Sequence, residues 1–120
     1  LRRKGMVKDT IHTTELNTVY ARGVELLQKR KYAKALYILN DYNDRNTVVA
    51  HLSMDHNERA LELLATLPKD AVTEYLRAIA CSRLGRKAEG REHFLEACRL
   101  DGRMEYRGNL DPEIAELLKQ

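Results

Sequence analysis

In the stretch YARGVELLQKRKYAKALYIL, residues 20–39, apolar side chains recur every three or four positions on either side of the basic tripeptide Lys29-Arg30-Lys31. Tyr20, Gly23, Leu26 and Leu27 share one helical face; Tyr32, Ala35, Leu36 and Leu39 share another. Only two or three residues join the two patterns, so the spacing predicts an antiparallel helical hairpin. Its small residues let the helices approach closely while the large apolar ones fill the seam. The same phrase, a small residue with apolar partners and a large one a turn later, returns at Ala60, Leu61 and Leu64. It returns more loosely at Gly90, Phe94 and Ala97. Three such statements predict three stacked hairpins, an architecture that presents surface to a partner.

The periodicity extends outward from there. The first helix is expected to begin near Thr13 and Thr14, which can cap it, and to run to about Lys29. The second runs from Tyr32 to Asp41, with Tyr42 on its stripe. Residues 40–46, NDYNDRN, read as a turn, because Asn and Asp bond their own backbone and tolerate left-handed geometry. A short third helix follows from Thr47 to Met54, and a fourth from Asn57 to Thr66, ended by Pro68. The fifth spans Ala71 to Leu84 with Gly85 as a left-handed stop, and the sixth spans Lys87 to Leu100. Arg103 to Leu110, with Gly108, reads as a connector. Asp111-Pro112-Glu113 is a strong helix start, and Ile114, Leu117 and Leu118 make the final helix an amphipathic cap for the open end of a stack. The expected organisation is therefore a linker or arm from an upstream region over residues 1–12, helical repeats over 13–102, and a connector with a capping helix over 103–120.

A chain of 120 residues is one domain by length and large enough to bury a core without staples. Its charged fraction of 32% suits helices with a solvated outer face. Residues 1–34 hold nine Lys or Arg against three acids, a local +6 that leaves about −3 in the remainder of a chain whose net charge is +3. That basic end lacks interleaved aromatics and any nucleic-acid motif, and reads as a solvated surface. Cys81 and Cys98 match no zinc spacing and read as buried thiols; a disulfide between them stays open for a chain outside the cytosol. No apolar run spans a bilayer and no signal peptide opens the chain, which begins at Leu1 and looks like an excised piece.

The hairpins resemble tetratricopeptide repeats. Tyr20, Gly23, Leu26, Tyr32, Ala35 and Leu39 match one repeat, and Tyr75, Ala78, Gly85, Gly90, Phe94, Ala97, Leu100 and Asp101 match another. The middle pair matches through Ala60, Leu61 and Leu64. Spacings of 25 residues from Ala35 to Ala60 and 30 from Ala60 to Gly90 fall short of the regular 34. Arg22 and Arg77 stand where the family usually has Leu, Gly102 stands in place of its Pro, and its tryptophan is missing. The resemblance implies an all-α, right-handed α-α superhelix of about three antiparallel hairpins. It also implies a binding groove lined by the first helix of each pair, which places Asn17, Tyr20 and Val24, then Arg45 and Asn46, then Tyr75, Ile79 and Ser82 at a partner. A narrower resemblance, carried by YARGVELLQKRKYAKAL, NTVVAHLSMDHNERALELL and YRGNLDPEIAELL, is to the C-terminal helical part of larger envelope proteins of Bacteroides-type bacteria. It implies a periplasmic or outer-membrane-associated location, with the cytoplasm as the alternative.

Chemistry-bearing patterns are sparse. His51 and His56 are five apart across a helix end, where helical ligand pairs need three or four; His12 and His93 have no partner set. Ser53 and Ser82 lack a nucleophile elbow, the cysteines lack an activating signature, and the glycines form no phosphate loop. The expectation is a non-catalytic module without metal, cofactor or small-molecule substrate, which binds a protein, a peptide or another domain of the same chain. The alternative is contact with nucleic acid or an anionic surface through residues 1–34.

Overall fold

The computed structural model describes residues 18–119, which are all-helical: eight helices and no strand among the described residues. Thr13, Thr14, Asn17, His12 and the expected arm over 1–12 lie outside them. The chain divides after Ala50 into two compact units.

In the first unit, α1 (helical over 18–28) and α2 (Tyr32–Leu39) close on Leu26, Ala35 and Leu39, with Tyr20, Val24, Leu27 and Ile38 packed around them. Gly23 is required here, because a Cβ at that position would meet Leu39 Cδ2 at 2.8 Å. The next helix, α3 (Arg45–Ser53), starts at a reciprocal cap. Asp44 Oδ1 accepts from Thr47 N–H at 3.0 Å, and Thr47 Oγ1 accepts from Asp44 N–H at 3.3 Å. The Thr47 hydroxyl is buried and donates to the Leu39 carbonyl at 2.8 Å, joining Tyr42 N–H at 2.9 Å on an oxygen at the C-terminus of α2.

The second unit contains α4 (Asn57–Leu64), α5 (Ala71–Arg83), α6 (Lys87–Leu100), α7 (Arg103–Asn109) and α8 (Pro112–Leu118). Helix α5 starts as α3 does: Asp70 Oδ1 accepts from Thr73 N–H at 2.8 Å and Thr73 Oγ1 from Asp70 N–H at 2.9 Å. Its core joins Tyr75, Ala78 and Ile79 of α5, Phe94 and Ala97 of α6, Met104 of α7, and Ile114 and Leu117 of α8. Leu117 sits over Gly90, where a Cβ would come within 2.5 Å of its Cδ2. The terminal helix thus packs on α5 and α6. One expectation is corrected: Arg103 to Asn109 is a helix, not a connector. Met104 and Gly108, one turn apart, form its buried face, and Gly108 is what admits the Phe94 ring, whose Cζ would lie 2.4 Å from a Cβ there. The glycine marks a close contact, not a break.

One connection is used three times. After α1, Arg30 adopts φ 62°, its N–H donates to the Leu27 carbonyl, and Lys31 N–H donates to the Leu26 carbonyl. After α3, Asp55 (φ 60°) and His56 repeat both bonds to Leu52 and His51; after α5, Gly85 (φ 77°) and Arg86 repeat them to Ser82 and Cys81. Each is a left-handed helix stop closed by paired backward hydrogen bonds. In each, the small residue five positions after the stop, Ala35, Ala60 or Gly90, donates its N–H at 2.9 Å to the carbonyl of the residue following the stop. Those three residues and Gly23 are all buried. The shortened spacing around Ala60 also has a local cause. Helix α3 has 9 residues and α5 has 13, a difference close to one turn.

Candidate functional site

Most of the side chains expected at a partner are engaged within their own unit. Tyr20 is half-buried; its hydroxyl donates to Asp44 Oδ2 and accepts from Asn46 Nδ2 at 2.7 Å, and its ring meets Tyr42 edge-on at 4.9 Å between centroids. Burial and the Asp44 carboxylate raise its pKa. Burial pushes the Asp44 carboxyl upward, but the hydrogen bonds from Tyr20 and Thr47 outweigh it and hold the group below its ordinary value. Val24 packs on the α1–α2 core, Arg45 is exposed at the start of α3, and Asn17 lies outside the described residues.

The second unit repeats this design with more burial. Tyr75 is 1% exposed, its hydroxyl donates to Asp111 Oδ2 at 2.8 Å, and the Arg107 guanidinium stacks on its ring at 4.6 Å. Burial first, and then Asp111, raises its pKa well above the ordinary phenol value. Ile79 is buried in the core, and Ser82 Oγ donates to the Glu113 carbonyl at 3.2 Å. Thus Tyr20 and Asn46 come together in one network, and Tyr75, Ile79 and Ser82 line the inner face of α5.

The open surface of the first unit lies elsewhere. Val19, Tyr37, Ile38, Asp41 and Tyr42 line a groove of about 500 Å³, and Tyr37 is 88% exposed. A mostly apolar groove with one acidic side chain and two tyrosines suits a contact surface, since tyrosine combines area with a directed hydrogen bond. Lys29, Arg30 and Lys31 are exposed at the α1–α2 connection, the opposite end of the hairpin from this groove.

The second unit holds a buried charge cluster. Glu74, 2% exposed, accepts from Arg77 Nη1 at 2.6 Å and from His93 Nδ1 at 3.1 Å. Arg77 Nη2 donates to the Leu64 carbonyl at 2.6 Å, Arg83 Nη1 to the Leu52 carbonyl at 2.6 Å, and Arg91 Nη1 to the Leu117 carbonyl at 3.1 Å. Each guanidinium therefore meets the C-terminal end of another helix, where unpaired carbonyls concentrate negative charge. The cluster ties helices together. Burial raises the pKa of both free thiols, Cys81 and Cys98, which is the opposite of activation. Among the described residues no group of three or more His, Cys, Asp or Glu is placed to hold a metal, and no helix is long and apolar enough to cross a membrane.

Comparison with protein-family models, curated proteins and solved structures finds no match to this chain. The functional reading rests on its own geometry.

Sequence reasoning missed the groove and the buried charges. Tyr37 and Ile38 fall outside the stripe Tyr32, Ala35, Leu36, Leu39, but α2 is apolar almost all round, with Lys34 its one charged residue, so nothing local marks them as surface. Nothing in the spacing of Glu74 and Arg77 distinguishes a buried pair from a solvated one; the Leu64 carbonyl that completes it comes from another helix.

Proposed function

We propose that the chain is a tetratricopeptide-like helical repeat that works as a non-catalytic protein-interaction or scaffolding module. The observation that carries the reading is the reuse of one connection at Arg30, Asp55 and Gly85, each followed five residues later by a buried small residue. Repeats of a single helical unit bury their faces against neighbours and leave extended surfaces, which is how such proteins contact partners. The paired use of a capping aspartate as acceptor for a tyrosine, Tyr20 to Asp44 and Tyr75 to Asp111, adds a second repeated element. The groove at Val19, Tyr37, Ile38 and Tyr42 is the contact surface we assign to it.

The test uses a photo-crosslinking side chain at position 37 in cells of the source organism, with Tyr37→Ala as the competing variant. Because Tyr37 is almost fully exposed, the substitution should leave stability unchanged and abolish partner recovery. Crosslinking to one protein, insensitive to salt, supports the reading. Capture instead by heparin or DNA, lost with rising ionic strength and on charge reversal of Lys29, Arg30 and Lys31, overturns it in favour of an anionic-surface contact.

A further inference from the structure

His51 is the last-turn residue of α3 and His56 the residue that opens α4, and their Nδ1 atoms face each other at 3.2 Å. The ring centroids are 5.4 Å apart, almost the longest separation that such a nitrogen contact permits, so the two nitrogens point at one another. That is the arrangement of a hydrogen bond. A shared metal about 2.0–2.1 Å from each nitrogen would sit off the line between them and draw both rings toward it. His51 is 5% exposed, and its other nitrogen, Nε2, is buried with no hydrogen-bond partner.

These facts fix the proton inventory. In the neutral pair, His51 Nδ1–H donates to His56 Nδ1, and the buried Nε2 is a bare lone pair. The opposite tautomer would put a hydrogen on Nε2, with nothing there to accept it. Adding one proton to the pair removes the choice. If His51 becomes the cation, both of its nitrogens carry hydrogen; if His56 does, it must donate to His51 Nδ1, and the His51 hydrogen moves to Nε2. Every charged form that keeps the bond therefore buries an unpaired N–H, and the first of them buries a charge as well.

We propose that His51 and His56 form an acid-sensitive latch across the α3–α4 turn, closed while both imidazoles are neutral and opened when the pair takes up a proton. The neighbouring charges favour opening. His56 and the Arg59 guanidinium of α4 both repel a charge on His51, while burial is the largest force against it. Asp55, the carboxylate within the turn, faces the Arg83 guanidinium of α5 at 3.5 Å, and Glu58 faces Arg86 at 3.4 Å. The same Arg83 holds the Leu52 carbonyl and Asn57 Oδ1, so the turn has a second, pH-independent tie that limits the opening to its own residues.

The experiment reads the full chain by NMR. At about pH 7.5, imidazole nitrogen shifts should show His51 protonated on Nδ1 and bare on Nε2. On going to about pH 5, amides 54–60 should lose roughly tenfold or more of their exchange protection, corrected for intrinsic rate, while amides 90–100 keep theirs. His56→Ala, at an exposed site, should show the opened-turn exchange already at neutral pH. A hydrogen on His51 Nε2 at neutral pH, or equal protection of 54–60 at both pH values, overturns the proposal.

Discussion

The Tyr75 hydroxyl donates at 2.8 Å to Oδ2 of Asp111, whose Oδ1 accepts from Glu113 N–H at 2.9 Å and caps α8. One carboxylate thus fastens the start of the terminal helix to the middle of α5. Tyr75→Phe leaves Oδ2 without its donor in a mostly enclosed site and should cost about 1–3 kcal/mol in urea unfolding. Tyr20→Phe removes the equivalent bond to Asp44 from a half-buried site and should cost less.

Gly85 and Gly90 separate strain from crowding. A Cβ at Gly85 meets nothing within 4 Å, so Gly85→Ala pays only for the left-handed backbone, about 1 kcal/mol. Gly90→Ala drives a methyl into Leu117 and should cost about 1–3 kcal/mol. Combining Gly90→Ala with Leu117→Ala should cost less than the sum of the two single losses, because the added methyl enters the space that Leu117 vacates. A double-mutant cycle measures this.

Arg30 holds a left-handed conformation without a glycine's freedom. Arg30→Gly relieves roughly 1–2 kcal/mol of steric strain and gives back part of it as unfolded-state entropy, so a net gain of about 0.5–1 kcal/mol is expected. Asp55→Gly should gain less, because aspartate tolerates this region better than arginine. Thermal unfolding of both variants at neutral pH checks the order.

Asp44 titrates below its ordinary value when folded, so the unfolded chain takes up its proton first as the pH falls. The stabilisation is complete above the unfolded value of about 3.9 and is lost as the pH drops through the folded value. Asp44→Asn keeps a competent cap without the charge. Its stability should fall less steeply than wild type below about pH 4, as followed by circular dichroism.

Arg77→Leu would strand the Glu74 carboxylate in the core with His93 as its remaining partner, and should cost about 3–5 kcal/mol. Glu74→Leu together with Arg77→Leu should recover most of that loss, since an apolar pair of similar size leaves no buried charge. A double variant as unstable as Arg77→Leu alone would contradict this account of the cluster.

The helices themselves were legible because their apolar residues keep a helical period and their ends carry chemical marks. Lys87 to Leu100 was read to the residue, and Asp111-Pro112 announced α8. The small residues at 23, 35, 60 and 90 were read as contact points and are buried. The stops at Arg30 and Asp55 were not read as left-handed, because neither is glycine and the conformation is imposed by the bonds that follow it. Helix α7 was hidden because Gly108 looks like punctuation until Phe94 is seen against it. The partner-facing assignment of Tyr75 and Ile79 came from a resemblance, and it could not register that α7 and α8 enclose that part of α5. The groove at Tyr37 needed coordinates: exposure depends on what does not pack there, which no local pattern encodes.

The four-residue difference between α3 and α5 makes rung length an adjustable parameter. Removing four residues rotates everything beyond the deletion by about 400°, only some 40° past a full revolution, so inward-facing positions stay inward. Removing two would spin them by about 200° and turn the core side outward. Lengthening α3 by AEAL-like increments of four should therefore be tolerated where increments of two are not, and the chain can change its reach without redesigning its joints.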